Sequence, residues 1–275
     1  MKRIYFSIIM CCYNSEKYLN ETLQSILSQT HTNYELIIVD DGSTDNTSNI
    51  IKNFKEQNSY IDLKYFYKKN TGLASSRNYA IDKASNEWIA IIDHDDIWLK
   101  DKLEFQNNEI LKNKNKKLFF SDFYIFKNNI KKSRFEIFKE KDNFNTVELD
   151  LTPFKGYLNL IIHGCFIGSS TVIFNKNIIN KYNFFDQNYK FLTDYIFFIN
   201  LSKDYEIHCS DKILSIWRNH NDQATNKMSK LYYLEMFALY KNIILKENLK
   251  IFIKITILKK FIRLLLSFMY NLYLK

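Results

Sequence analysis

A chain of 275 residues, 46% of them hydrophobic, has the length for one large α/β domain, or a domain with a small appendage. One proline and five glycines exclude a long disordered linker. Four cysteines without a CxxC spacing support neither a zinc site nor a disulfide framework, so reduced thiols and a cytoplasmic setting are expected. The net charge of +9 is uneven, with seven basic residues and a single acid between Lys246 and Lys275. Such a tail suits an anionic surface, and without a reading motif nucleic acid is not an expected partner.

Ile4 to Cys12 reads as a strand buried on both faces. Met1-Lys2-Arg3 ahead of it superficially suggests a leader, but Tyr13-Asn14-Ser15-Glu16 breaks the run and no small-residue cleavage site follows. No signal peptide is expected. Leu19, Leu23, Ile26 and Leu27 share one helix face. Tyr34 to Val39 is a second strand ending in Asp40-Asp41-Gly42-Ser43-Thr44-Asp45, where Gly42 permits a tight turn before a helix carrying Ile50, Ile51 and Phe54. Leu63 to Tyr67 is a third strand, Asn70-Thr71-Gly72 its exit loop, and Leu73 to Ala84 a helix. Trp88 to Ile92 is a further buried strand, ending in Asp93-His94-Asp95-Asp96. This alternation predicts a mainly parallel sheet with right-handed crossovers, a Rossmann-like half over residues 1–112. Neither GxGxxG nor GxxxxGK[ST] is present, which removes the main support for a dinucleotide or P-loop site.

Carboxylates are costly in a core, so the acidic triplet belongs at the carboxyl edge of the sheet, where open α/β sheets bind ligands. Clustered oxygen donors suit a hard divalent cation and a phosphate-bearing substrate; the plainer alternative is that Asp96 caps the next helix. In the second half, Lys117 to Phe126 and Ile130 to Phe138 are expected to pair as a hairpin across Lys127-Asn128-Asn129. Asp150 to Ile162 should be helical and Ser170 to Phe174 a strand. Asp194 should open a helix through Leu201, followed by short strands Glu206 to Cys209 and Ile213 to Trp217. Leu249 to Leu274 has helical propensity with lysines at 250, 254, 259 and 260. Its charge-free run, Leu264 to Leu274, is short of the ~20 residues of a membrane span. Either it lies in a membrane interface or it packs on the domain with a solvated lysine face.

Together the motifs resemble the family 2 inverting nucleotide-sugar glycosyltransferases of the GT-A fold, from about Ile4 to His220. Ile8-Ile9-Met10-Cys11-Cys12-Tyr13-Asn14 is similar to the family's opening strand and Tyr-Asn turn. Val39 to Asp45 matches its strongest signature, and Asn70-Thr71-Gly72-Leu73-Ala74-Ser75-Ser76-Arg77-Asn78 its Asn-x-Gly…Ala-Arg-Asn segment. Asp93-His94-Asp95-Asp96 stands where the metal-binding DxD stands, Leu192-Thr193-Asp194-Tyr195 resembles the acidic pair at a helix start, and Trp217-Arg218-Asn219-His220 resembles the closing Arg-x-His.

The resemblance implies a UDP-sugar donor, a saccharide or lipid-linked saccharide acceptor of bacterial surface-glycan type, and Mn²⁺ or Mg²⁺. It places Tyr13, Asn14, Asp40, Asp41, Gly42, Ser43, Asn70, Arg77, Asp93 and His94 around the nucleotide, with Asp40 accepting the base's imide N–H. Asp95 and His220 fall to the metal, Arg218 to the diphosphate, and Asp194 to the general base, a role compatible with capping its helix. Asp96, Ser169, Ser170 and Thr193 fall on the acceptor side; Thr193 replaces the family's usual Glu, and Cys12 a proline. On this reading residues 1–112 bind the donor, 113–222 the acceptor, and 223–275 form a basic amphipathic helical extension meeting the inner face of the cytoplasmic membrane peripherally. The alternatives are a sugar nucleotidyltransferase, or a non-catalytic nucleotide-binding scaffold of the same fold.

Overall fold

The computed structural model describes residues 3–128, 130–142, 145–181, 185–223, 229–246 and 248–273. Nine strands form one sheet: β1 (Phe6–Cys12), β2 (Tyr34–Asp40), β3 (Asp62–Tyr67), β4 (Trp88–Ile91), β5 (Ile97–Trp98), β6 (Leu118–Lys127), β7 (Ile130–Ser133), β8 (Ile173–Asn175) and β9 (Ile207–Arg218). Their order is β3-β2-β1-β4-β8-β6-β9-β5, with β7 paired to β6. The first four are mutually parallel, as the βα alternation predicts; β8 then runs antiparallel to both β4 and β6.

Nine helices are described: α1 (Leu19–Leu27), α2 (Thr47–Gln57), α3 (Leu73–Lys83), α4 (Lys102–Lys112), α5 (Arg134–Asp142), α6 (Lys155–His163), α7 (Thr193–Asp204), α8 (Ser229–Lys246) and α9 (Ile251–Tyr273). The strand period of two divides the core. Ile8 and Met10 of β1 pack with α1, α2 and α4 on one face of the sheet, while Ile9 packs with α3, α6, α7, α8 and α9 on the other. Covered on both faces, β1 and β2 read as near-continuous apolar runs, interrupted by buried Ser7 and Glu35.

Several boundaries depart from expectation, some for local and some for tertiary reasons. Asp96 does not cap a helix. The next two residues form β5, pairing Ile97 with Ile216 and Trp98 with Ser215, and the helix starts at Lys102. The hairpin forms, but its second arm stops at Ser133. There Ser133 and Glu136 make a reciprocal capping box, with the Glu136 N–H on Ser133 Oγ at 3.2 Å and the Ser133 N–H on Glu136 Oε2 at 3.4 Å, so the chain turns into α5. Asp150 instead accepts the N–H of Thr152, and α6 begins at Lys155. The two expected strands after Glu206 are one long strand, β9, because continuous pairing with β6 carries through an irregular register near Asp122. Ser169–Thr171 is a 3-10 turn, and β8 follows it.

The tail packs on the domain. Ile253 and Ile257 are buried, and Phe261 and Leu264 lie against the same core as α6 and α7. The Phe261 ring meets that of Phe237 on α8 at 5.3 Å. Yet Ile251, Ile255, Leu258, Ile262, Leu266 and Met269 are exposed on the other side of α9. Among the described residues no helix is long and apolar enough to cross a membrane.

Candidate functional site

The carboxyl ends of β1, β2 and β4 deliver three turns to one edge of the sheet. After β1 the chain makes a left-handed step at Asn14 (φ 49°), whose N–H donates to Ser43 Oγ at 2.9 Å while its Oδ1 accepts the Thr44 N–H at 2.9 Å. The turns after β1 and β2 are thus stitched together. Tyr13 beside them is half exposed. Gly42 has φ 82°, and a Cβ there would lie 2.9 Å from the Asn70 backbone nitrogen. Only glycine permits both that backbone and that approach.

Asp40 and Asp41 hold this edge from inside. Asp40 has no exposed surface; Oδ1 accepts the Ser43 N–H at 2.9 Å and Oδ2 the Tyr65 hydroxyl at 3.1 Å. Expected to read a nucleobase, Asp40 in the structure also braces the turn with both of its oxygens. Buried Asp41 accepts the N–H groups of Thr71 and Gly72 at 3.0 and 2.8 Å and is paired with Lys68. It therefore sets the loop that carries exposed Asn70 into α3.

Arg77 on α3 is the hub. Buried to 1% exposure, its guanidinium donates to Asp93 Oδ1 at 2.7 Å, pairs with Asp194 Oδ1, and lies 5.1 Å from the centre of the Phe185 ring. Ser169 Oγ donates to the second Asp194 oxygen at 2.8 Å. The expected donor half and acceptor half thus meet on one cation, with Asp194 in the first turn of α7 and partly open to solvent.

In the acidic turn, His94 Nδ1 lies 3.2 Å from the Cys11 carbonyl, and the His94 carbonyl accepts from Thr22 at 2.8 Å. Asp95 Oδ2 is 3.1 Å from His220 Nε2, and the His220 ring packs on Tyr18 at 4.3 Å. Asp96 and Ser170, expected on the acceptor side, are buried: Ser170 Oγ donates to Asp96 Oδ2 at 2.5 Å and accepts the Asp93 N–H at 3.0 Å. Burial, with Asp95 and Asp93 close by, pushes the Asp96 carboxyl well above the usual range. Neither side chain offers a free face to an acceptor; together they brace the turn. Thr193 is also buried, donating to the Tyr189 carbonyl at 3.0 Å.

Arg218 departs from a free diphosphate ligand. It is enclosed by Glu21, the carbonyls of Tyr18 and Asp95, and Thr22 Oγ1 at 2.9 Å, and it lies over the Tyr18 ring. It ties the end of β9 to α1. Tyr18, Glu21 and Thr22 carry no local sequence signal for this role: Tyr18 is the N-cap of α1, Glu21 is an ordinary first-turn acid, and Thr22 is a buried hydroxyl whose partners come from across the fold.

Among the described residues no three acidic, His or Cys side chains converge tightly enough to hold a metal alone. Asp95 with His220 is still a fitting partial set, since Mg²⁺ is commonly held by one or two carboxylates plus substrate phosphates.

Burial pushes the Cys11 thiol, under this edge, up to about 12.

The glycosyl transferase family 2 model matches residues 7–181. A Rickettsia typhi protein described as an uncharacterized glycosyltransferase is 30% identical over 220 residues, covering 80% of this chain and 65% of its own length. The Escherichia coli UDP-Glc:α-D-GlcNAc-diphosphoundecaprenol β-1,3-glucosyltransferase WfgD is 29% identical over 249 residues, covering 83% of this chain and 90% of its own. The fold matches that of Staphylococcus aureus TarS, residues 1–349, solved with UDP-GlcNAc: TM-score 0.69 at 24% identity, over 96% of this chain and 73% of that one. A curled α/β sheet of the GT-A kind, a family model matching residues 7–181, and relatives named as transferases place this chain in glycosyltransferase family 2.

Proposed function

We propose that the chain transfers a sugar from a UDP-sugar to a hydroxyl of a lipid-linked saccharide, with inversion and with a divalent cation. The observation that carries this is Arg77 holding Asp93 and Asp194 at once. It supports a donor site over residues 1–112 and an acceptor site over 113–222 that share one cleft at the sheet edge. Donor and acceptor class rest on the printed activity of WfgD and on the TarS complexes with UDP and UDP-GlcNAc.

In this reading Tyr13 packs beside the base, and Asp93 reaches the ribose. Asn14, Gly42, Ser43, Asn70 and His94 shape the nucleotide pocket, while Asp40 and Asp41 set its turns from inside. Asp95 and His220 would hold the cation, whose charge would offset that growing on the leaving diphosphate. Asp194 accepts the proton of the acceptor hydroxyl as that oxygen attacks the anomeric carbon and the carbon–phosphate oxygen bond breaks on the opposite face. A base there needs to sit within ~3 Å of the hydroxyl. Ser169 and Arg77 fix its two oxygens so that its free lone pairs face the acceptor. Arg218 and Thr193 support the site from behind.

The exposed face of α9 suits a membrane-borne acceptor. Ile251, Ile255, Leu258, Ile262, Leu266 and Met269 recur every three or four residues, flanked by Lys254, Lys259 and Arg263, and the helix carries no acid. Basic flanks and an apolar face fit an anionic bilayer interface. Deleting the tail would uncover Ile257, so the cleaner test is Ile255→Ser with Ile262→Ser and Leu266→Ser. Co-sedimentation with phosphatidylglycerol vesicles should be lost while the melting temperature is kept; equal sedimentation would remove the membrane reading.

For the reaction, release of the nucleoside diphosphate, UDP or GDP, is measured from a panel of UDP- and GDP-sugars, with Mn²⁺ or with EDTA. Wild type should consume one UDP-sugar only with metal, and Asp194→Asn should keep UDP affinity but lose turnover by ~10²-fold or more. Turnover of a GDP-sugar instead would overturn the donor, and unimpaired Asp194→Asn the base.

A further inference from the structure

The helix that bears Asp194 is held from outside the two halves of the cleft. Its N-cap residue is Leu192, which has no side chain able to accept a hydrogen bond. Helix starts expose backbone N–H groups that need partners, and a buried start without them is unstable. Here the N-cap N–H of Leu192, together with the two N–H groups just ahead of it, finds its partner on α8. Glu235 Oε1 accepts the Lys190 N–H at 2.8 Å, and Oε2 accepts those of Phe191 and Leu192 at 3.1 and 2.8 Å.

Glu235 is only 8% exposed, on a helix whose neighbouring Met236 and Leu239 are core residues. A carboxylate at such a place is costly unless its lone pairs are filled, and three charge-assisted bonds fill them. The other end of the same segment is clipped as well. Phe185 exchanges two hydrogen bonds with the Asn78 side chain, both 2.8 Å, next to Arg77 on α3. Its ring stacks on Phe197 of α7 at 4.3 Å. Residues 185–192 thus form a strap fastened to the donor half by Asn78 and to the C-terminal extension by Glu235, and the next turn presents Asp194 to Arg77 and Ser169.

We propose that Glu235 is a positioning residue: its carboxylate, through the N–H groups of residues 190–192, sets where Asp194 stands, so the acceptor side is complete only with α8 in place. The proposal rests on Asp194 being the base. A displacement of about 1 Å at a catalytic group is enough for ~10²-fold in rate, without loss of fold.

The test uses Glu235→Gln, whose amide turns a donor toward one of the three N–H groups, and Glu235→Asp, which keeps the charge on a shorter arm. Hydrogen–deuterium exchange is followed on peptides spanning 185–197, and UDP release from the consumed donor is followed in parallel. Glu235→Gln should speed exchange within 189–194 while leaving α3 and the UDP dissociation constant within about twofold of wild type. Its kcat should fall ~10- to 100-fold with the donor KM unchanged, and Glu235→Asp should recover part of that loss. On an Asp194→Asn background the Glu235→Gln effect on kcat should vanish, because a positioning residue acts only through the group it positions. Unchanged exchange, or a Glu235→Gln factor that persists in full without Asp194, would overturn the proposal. If Asp194→Asn itself is silent, the base assignment has failed, and the exchange result still decides whether Glu235 holds the strap.

Discussion

Replacing Arg77 with Met tests whether the two halves of the cleft are held together by charge. The side chain is buried, pairs with Asp93 and Asp194, and lies against Phe185. Methionine fills much of the same volume, so the loss is chiefly electrostatic: two neighbouring carboxylates are left facing each other without their cation. Breaking a buried ion pair from one side costs ~3–5 kcal/mol. Side-chain exposures of 35% for Asp93 and 26% for Asp194 let water screen part of that, which brings the expectation to about 2–3 kcal/mol. In a protein of this size that is a fall of roughly 4–12 °C in Tm. Urea unfolding at pH 7 measures it. On an Asp194→Asn background the same substitution should cost about half as much, since one of the two stranded charges is already gone. A loss under ~1 kcal/mol, or one indifferent to Asp194→Asn, would refute the bridging role.

Gly42→Ala should cost ~2–3 kcal/mol, because it combines a positive φ with a backbone clash at Asn70. Gly72→Ala, with open space around it but a φ of 92° and ψ of 165° that only glycine readily adopts, should cost ~1–3 kcal/mol from backbone strain alone; a Gly42→Ala loss smaller than the Gly72→Ala loss in urea unfolding would contradict the steric reading. Lys102 is wholly buried against Gln106 and Trp98, and desolvation pulls its pKa well below the ordinary value. The unfolded chain binds the proton that the folded one sheds, so Lys102 lowers stability below its folded pKa. That loss is recovered as pH rises toward ~10. Lys102→Met should therefore raise stability at pH 7 by ~1–2 kcal/mol and flatten its rise with pH, as read from melting curves between pH 7 and 10. Burial raises all four thiols, Cys11 to about 12 and Cys165 to about 11. At pH 8 the Cys11 thiolate fraction is then ~10⁻⁴, and a thiol reagent should modify the native protein hardly at all but all four cysteines after denaturation.

The N-terminal half was legible because its signals are local. Near-continuous apolar runs flanked by helix-period segments specify parallel strands between two helix layers, and acids ending such a run have to emerge at the sheet edge. The second half was harder. The stop at Ser133 had a local signal, the Ser133-x-x-Glu136 capping box, which went unread. By contrast, the joining of β9 into one strand depends on partners 89–92 positions away, and the pairing of two residues as β5 on partners 117–119 positions away.

By itself the sequence determined the strand–helix alternation, the family, and which acids lie at the edge. Periodicity, turn chemistry and motif order are properties of neighbouring residues. Only the tertiary structure decided which of those acids keep an exposed surface and which are enclosed. Asp40 and Asp96 look no different in sequence from Asp93 and Asp194, and their burial follows from Tyr65, Ser170 and Arg218 closing over them. The same holds for Arg77, Asp194 and Glu235, brought together from three helices. A hydrogen bond across the fold leaves no periodic trace in the chain, because its two ends are set by packing rather than by spacing.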